Sequence, residues 1–161
     1  MGKKATKAAD NMYYLARMEA ASENEELTSR EKAAELLSID RTRLARIELD
    51  TISPYPEEVK SMAACYNTPE LCNQYCARDC PIGKDSVKEV TIDDFDRLSL
   101  KVLGSLKDIE HLRSTLIAIS EDGKVNDWER KDFEEILSTL EKISTNANAL
   151  HLWAKKNIQA K

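Results

Sequence analysis

The sequence predicts an all-α protein, with five short helices in its first half and a long antiparallel helical hairpin in its second. Composition points there first: 161 residues carry only 4 Gly, 4 Pro and 2 Phe, while Leu, Ala, Glu and Lys abound. Spacing is the second observation, since apolar residues recur at intervals of three and four along most of the chain. Helix-start signals ahead of those runs are the third. At 42% hydrophobic, the chain can bury one moderate core or two small ones. No run approaches the roughly 20 apolar residues that cross a bilayer.

Residues 1–10, MGKKATKAAD, read as a flexible arm: basic, and without the apolar stretch of a secretory signal. The absence of an export signal implies a cytoplasmic protein. Asn11 to about Ser22 is the first helix, with Met12, Leu15 and Met18 or Glu19 marking its inner face. The next two occupy 29–38 and 41–49. Thr28 and Glu31 form a T-x-x-E capping box ahead of the former, and Asp40 is the N-cap of the latter. Ala33, Ala34 and Leu37 face inward on one, Leu44 and Ile47 on the other, and Ile39 plugs the angle between them. A step of about 100° per residue turns Thr42, Ala45, Arg46 and Leu49 outward. Arg41 and Arg43 flank that face, and Ala45 is small enough for close approach. Pro54-Tyr55-Pro56 opens a helix over 57–66, and Pro69 one that reaches about Ala77. Domain organisation follows: a helix-turn-helix domain over 11–80 with a Cys-rich last helix, a linker over 81–91, and a hairpin over 92–161.

In the hairpin, Phe95, Leu98, Val102, Ile109, Leu112, Leu116 and Ile119 form one seam, with Ser105 a polar interruption. Phe133, Ile136, Leu140, Ile143, Ala147, Leu150 and Ala154 form the other. Two helices cannot hide both seams and also Leu103, Leu106, Ile117 and Leu137. A homodimer is therefore expected through this element; the alternative is packing against the chain's own first domain. In the turn between the arms, Gly123, Val125 and Glu129 fit an EF-hand loop, but Ala118 and Ser120 stand where its first carboxylates belong, which argues against calcium.

A helix pair that presents arginines outward suits duplex DNA, where Arg pairs bidentately with guanine O6 and N7. The run Arg30–Glu35, then Leu37, Ile39, Asp40–Leu44 and Arg46-Ile47-Glu48, resembles the XRE, or lambda-repressor-like, helix-turn-helix regulators over roughly Asn11 to Asn67. The resemblance implies a five-helix DNA-binding domain whose helix 41–49 enters the major groove. It implies Arg41, Thr42 and Arg46 at base-reading positions and Arg43 beside the backbone. Arg30 takes a DNA-contacting position at the start of the preceding helix, and Arg17 pairs with Glu48 structurally. The family's turn often has glycine where this chain has Ser38, so a slightly different turn is expected. The segment with SENEE is longer and more acidic than usual, and the DTIS loop lacks basic residues.

Bulk charge opposes non-specific DNA attraction: 24 Lys and Arg against 29 Asp and Glu leave a net −5. The cations Arg30, Lys32, Arg41, Arg43 and Arg46 are concentrated in the motif, which implies dependence on specific contacts and on two copies. Cys65, Cys72, Cys76 and Cys80, spaced C-x6-C-x3-C-x3-C, admit three readings. They hold zinc or an iron–sulfur cluster, form a redox-sensing disulfide, or stay reduced as small buried apolar groups. Cys80 joins such a site only if the helix stops before Pro81. No enzyme is indicated: His111 and His151 stand alone, and no nucleophile has a base and orienter. The functional expectation is a DNA-binding transcriptional regulator; the alternatives are a helical protein-interaction adaptor or a metal- or redox-responsive regulator.

Overall fold

The computed structural model describes residues 7–158, and among them all regular structure is helical. No described helix is long and apolar enough to cross a membrane. The described residues divide into two units: one runs to Glu89 and takes in the chain from Lys155 onward, the other spans Val90–Ala154.

The first unit contains α1 (Met12–Ala20), α2 (Arg30–Leu37), α3 (Arg41–Glu48), α4 (Pro56–Cys65) and α5 (Glu70–Arg78). Side chains at the helix starts satisfy donors that the helices themselves leave unpaired. Asn11 Oδ1 accepts from Tyr14 N at 2.9 Å, and Asp40 Oδ1 accepts from Arg43 N at 3.0 Å. The cap of α2 is Ser29, whose Oγ accepts from Lys32 N, and not Thr28, whose hydroxyl donates to Glu25 O. The reason lies one residue upstream: Glu25–Thr28 form a 3-10 turn that uses the Thr28 hydroxyl and starts α2 a residue later. This turn also explains the acidic insertion, because it drives Leu27 into the core at 1% exposure.

Leu27, Leu44, Ile47, Val59, Met62 and Leu71 are the most deeply buried apolar side chains of this unit, joined by Ala33 and Ala34. Small residues on α2 let α3 and α4 approach closely, so the three helices share one core. Of the expected flexible arm, residues 1–6 lie outside the described residues, whereas Lys7–Asp10 form a 3-10 turn with Ala8 buried.

The expected linker is folded as far as Glu89. A 3-10 turn spans Gly83–Asp85, Asn73 Nδ2 donates to Lys88 O at 3.0 Å, and Arg78 pairs with Glu89. Gly83 is required there: a Cβ at this position would stand 2.1 Å from the Cys76 carbonyl oxygen.

The second unit corrects the hairpin. Its first arm is two helices, α6 (Phe95–Ser105) and α7 (Ile109–Ser120), separated by Leu106–Asp108; α8 (Arg130–Asn157) is continuous for 28 residues. Gly104 and Ser105, both weak helix formers, lie at the break, and Ser105 Oγ donates back to Val102 O at 2.7 Å. The seams close only in places. Leu98 packs with Val90, Ala149 and Leu152, and Ile119 and Ile136 are buried, but Leu116, Leu140 and Ala147 are exposed. A long straight helix cannot keep one 3-4 stripe facing two short helices, so its buried side rotates along its length. Gly123 takes φ +70° in the turn after α7, ending that helix.

Candidate nucleic-acid interface

Helices α2 and α3 meet at a turn in which Ser38 adopts φ 55° and ψ 38°. The expectation of an altered turn is thus corrected: serine takes the left-handed conformation that glycine adopts freely. Its N–H donates to carbonyls at the end of α2, and Asp40 then starts α3. On α3, Leu44 and Ile47 are fully buried, which fixes the rotation of the helix about its axis. Thr42 and Arg46 are consequently exposed, with Ala45 and Leu49 half-buried beside them, and Arg41 is exposed at the start of the helix.

Glu48 lies beneath this surface with 0% exposure and binds two arginines. Arg17 donates from Nε to Oε1 at 2.6 Å and from a terminal nitrogen to Oε2 at 3.0 Å; Arg30 Nε donates to Oε2 at 2.9 Å. Arg17 also donates to Leu27 O at 2.7 Å. Both the buried charge and the loop carbonyl are satisfied, so α1, the 3-10 turn, α2 and α3 are tied to one carboxylate. The Arg17–Glu48 pair is therefore present, as the family resemblance implies.

Two of the five expected contact residues are engaged internally. Arg30 is held by Glu48. Arg43 donates from Nε and from a terminal nitrogen to the two oxygens of Glu58, the latter at 2.8 Å, and its guanidinium stacks 4.2 Å from the Tyr55 ring centroid. The Arg43 hydrogen bond also holds the Glu58 carboxyl below the usual range. Glu58 serves a second purpose, accepting from Tyr55 N at 2.7 Å at the start of α4. Neither Glu58 nor Tyr55 is identifiable as a site residue from sequence; the Pro-initiated helix start marks only their position. Lys32 lies 3.8 Å from Glu26, both well exposed. Among the described residues, Arg41 and Arg46 meet no carboxylate.

The chain matches no protein-family model, no curated protein and no solved structure.

The cysteines do not assemble into a metal site. All four are free thiols, half-buried, and among the described residues no three His, Cys, Asp or Glu side chains stand where they could hold one ion. The helix does stop before Pro81, as such a site requires, because α5 ends at Arg78. Yet Cys65 is on α4, Cys72 and Cys76 are on α5, and the chain after Cys80 turns back to lay Gly83 against the Cys76 carbonyl. Cys65 and Cys72 pack against the apolar core, and burial pushes both thiols up from their ordinary value. They behave as small apolar groups.

Proposed function

We propose that the protein is a sequence-specific DNA-binding transcriptional regulator of the XRE type, reading the major groove with α3. One observation carries the reading: Thr42 and Arg46 share the open side of a helix whose other side is locked by Leu44, Ile47 and Glu48, and Arg41 is exposed on the flank at its first residue. A rigid helix with exposed guanidiniums and small residues between them can lie close to base edges and present donors to guanine. The left-handed turn at Ser38 and the Arg17–Glu48 pair support the family resemblance on which base-reading roles are assigned to these residues.

Arg43 and Arg30 do not act as phosphate contacts in this reading; Arg43 buttresses the loop after α3, and Arg30 buttresses Glu48. With only Arg41 and Arg46 unpaired on α3 and a net charge of −5, little affinity comes from non-specific phosphate attraction. Specific contacts must supply it.

The test is a gel-shift titration with DNA from upstream of the protein's own gene against random duplex. Arg46→Ala is expected to weaken the specific complex by about 1–3 kcal/mol and to relax preference at one base position. Equal losses on both duplexes, or no binding preference in the unmodified protein, would refute the reading. A helical interaction adaptor is the second reading, and the exposed apolar residues of the second unit favour it.

A further inference from the structure

Helices α7 and α8 are joined by the turn 121–129 and run antiparallel, lining one cleft together. The two sides of this helix pair differ in chemistry. The cleft side is polar, with His111 and Thr115 from α7 facing Asp132, Glu135 and Thr139 from α8. The other side follows from the helical step of about 100° per residue. On α7, Ile109, Leu116 and Ile117 lie to one side of the line through Leu112 and the buried Ile119. On α8, Phe133, Leu137, Leu140, Ser144 and Ala147 lie to the same rotational side of the buried Ile136. In antiparallel helices, equal rotation brings both sets to one face of the pair.

This face is open. Ile109 is 40% exposed, Ile117 54%, Leu137 50% and Leu140 42%. Its α8 edge, 133-137-140-144-147, has alternating four-three spacing; it shares Phe133, Leu140 and Ala147 with the seam that contains Ile136 and adds Leu137 and Ser144 further round the helix. Ile136 lines the cleft with Leu112 of α7 and Phe133 is half-buried, whereas Leu137, Leu140, Ser144 and Ala147 are exposed. A two-helix layer with one apolar and one polar face is half of a four-helix bundle.

We propose that a second copy of this chain covers the face, and that the two α7–α8 pairs form a four-helix bundle with two-fold symmetry. Charge favours one arrangement. Arg113 flanks the α7 edge and Glu134 flanks the α8 edge, both exposed. Arg113 follows Leu112, which lines the cleft beside Ile136, so Arg113 stands within a turn of the level of Glu134. A two-fold axis along the helices lays α7 of one copy on α8 of the other and brings Arg113 to the partner's Glu134. A two-fold axis across the helices would stack α7 on α7, and passing at the level of Arg113 it would set that residue against its own twin, which like charges oppose. The self-complementary edges therefore fit a copy of this chain. The inference stands on the second unit alone and is independent of the DNA reading.

The test is the mass of the full chain in solution, by sedimentation at about 50–100 µM, a range in which a micromolar dimer is mostly assembled. The expected mass is twice that of the chain. Ile109→Glu and Leu140→Lys are each expected to be monomeric with unchanged helical circular dichroism, since both positions are exposed. An equimolar mixture of the two is expected to regain the doubled mass, because one Glu then meets one Lys across the α7–α8 contact. A monomeric unmodified chain overturns the proposal and leaves the face to a different partner. Dimers that survive both substitutions overturn the assignment of this face, and two monomeric variants that fail to recombine overturn the α7-on-α8 pairing.

Discussion

Arg43 of α3 is clamped by Glu58 of α4 through two parallel hydrogen bonds while its guanidinium lies over the Tyr55 ring. A residue that the family resemblance assigns to the DNA backbone thus closes the loop between α3 and α4. The consequence is measurable in two ways.

The Glu58 carboxyl is held low first by its hydrogen bond from Arg43 and further by the Tyr55 N–H. A carboxyl depressed in the folded state contributes stability that is fully present above its unfolded value, near about 4.3. That contribution is lost as pH falls through the lower folded value. Urea midpoints are expected to fall more between pH 6 and pH 3 in the unmodified protein than in Glu58→Gln. The difference is modest because Arg43 is partly exposed. Parallel pH profiles would show that the clamp contributes nothing.

Glu58→Gln also loosens Arg43, leaving it one acceptor and no counter-charge. In the proposed function the loosened guanidinium becomes available to a phosphate, so the salt dependence of DNA binding is expected to steepen by about one contact. Affinity as a function of salt, compared between the two proteins, reads this directly. An unchanged slope would mean that Arg43 cannot reach the duplex.

Glu48 is the most consequential buried charge. Its replacement by Gln leaves the Arg17 side chain, 3% exposed, without a counter-ion. Breaking a buried pair in this way costs about 3–5 kcal/mol. Chemical denaturation of Glu48→Gln is expected to show a loss of that size, whereas replacing the more exposed Arg30 with Met is expected to cost much less.

Ser38 sits in the left-handed region, where an L side chain costs about 1–2 kcal/mol. Glycine removes that cost and adds back about 0.5–1 kcal/mol of chain entropy. Ser38→Gly is therefore expected to stabilise the protein by roughly 0.5–1 kcal/mol. A lower melting temperature in this variant would place the serine hydroxyl in a stabilising role.

Gly83 tests the folded state of the segment after α5. An added methyl meets the Cys76 carbonyl at 2.1 Å, too close for side-chain adjustment to relieve. Gly83→Ala is expected to destabilise the first unit by about 1–3 kcal/mol. A neutral result would mean that residues 80–89 do not pack on α5.

Much of the fold was legible in the amino-acid sequence, because it depends on short-range chemistry. The 3-4 spacing of α2 and α3, the Asp40 cap and the Pro56 start are local and survive in the structure, whereas α1 turns the expected inner residues Leu15 and Met18 outward and buries Tyr13, Ala16 and Arg17. The outward direction of Thr42 and Arg46 survives too, and follows from burying Leu44 and Ile47 three residues apart; Arg41, expected on the flank, is exposed at the first residue of α3. Pairings between distant residues were not legible. Arg43 and Glu58 lie fifteen residues apart on different helices, and no periodicity indicates that one neutralises the other. The cysteines are close in sequence but are carried on α4, on α5 and in a returning loop, so their spacing did not report their separation in space. Likewise, seven apolar positions on α8 announced a seam, but its burial depended on where α6 ends and α7 begins. Local patterns determine which elements form and which way their faces turn; the assembled structure decides which charges remain available, because electrostatic pairing acts through space and not along the chain.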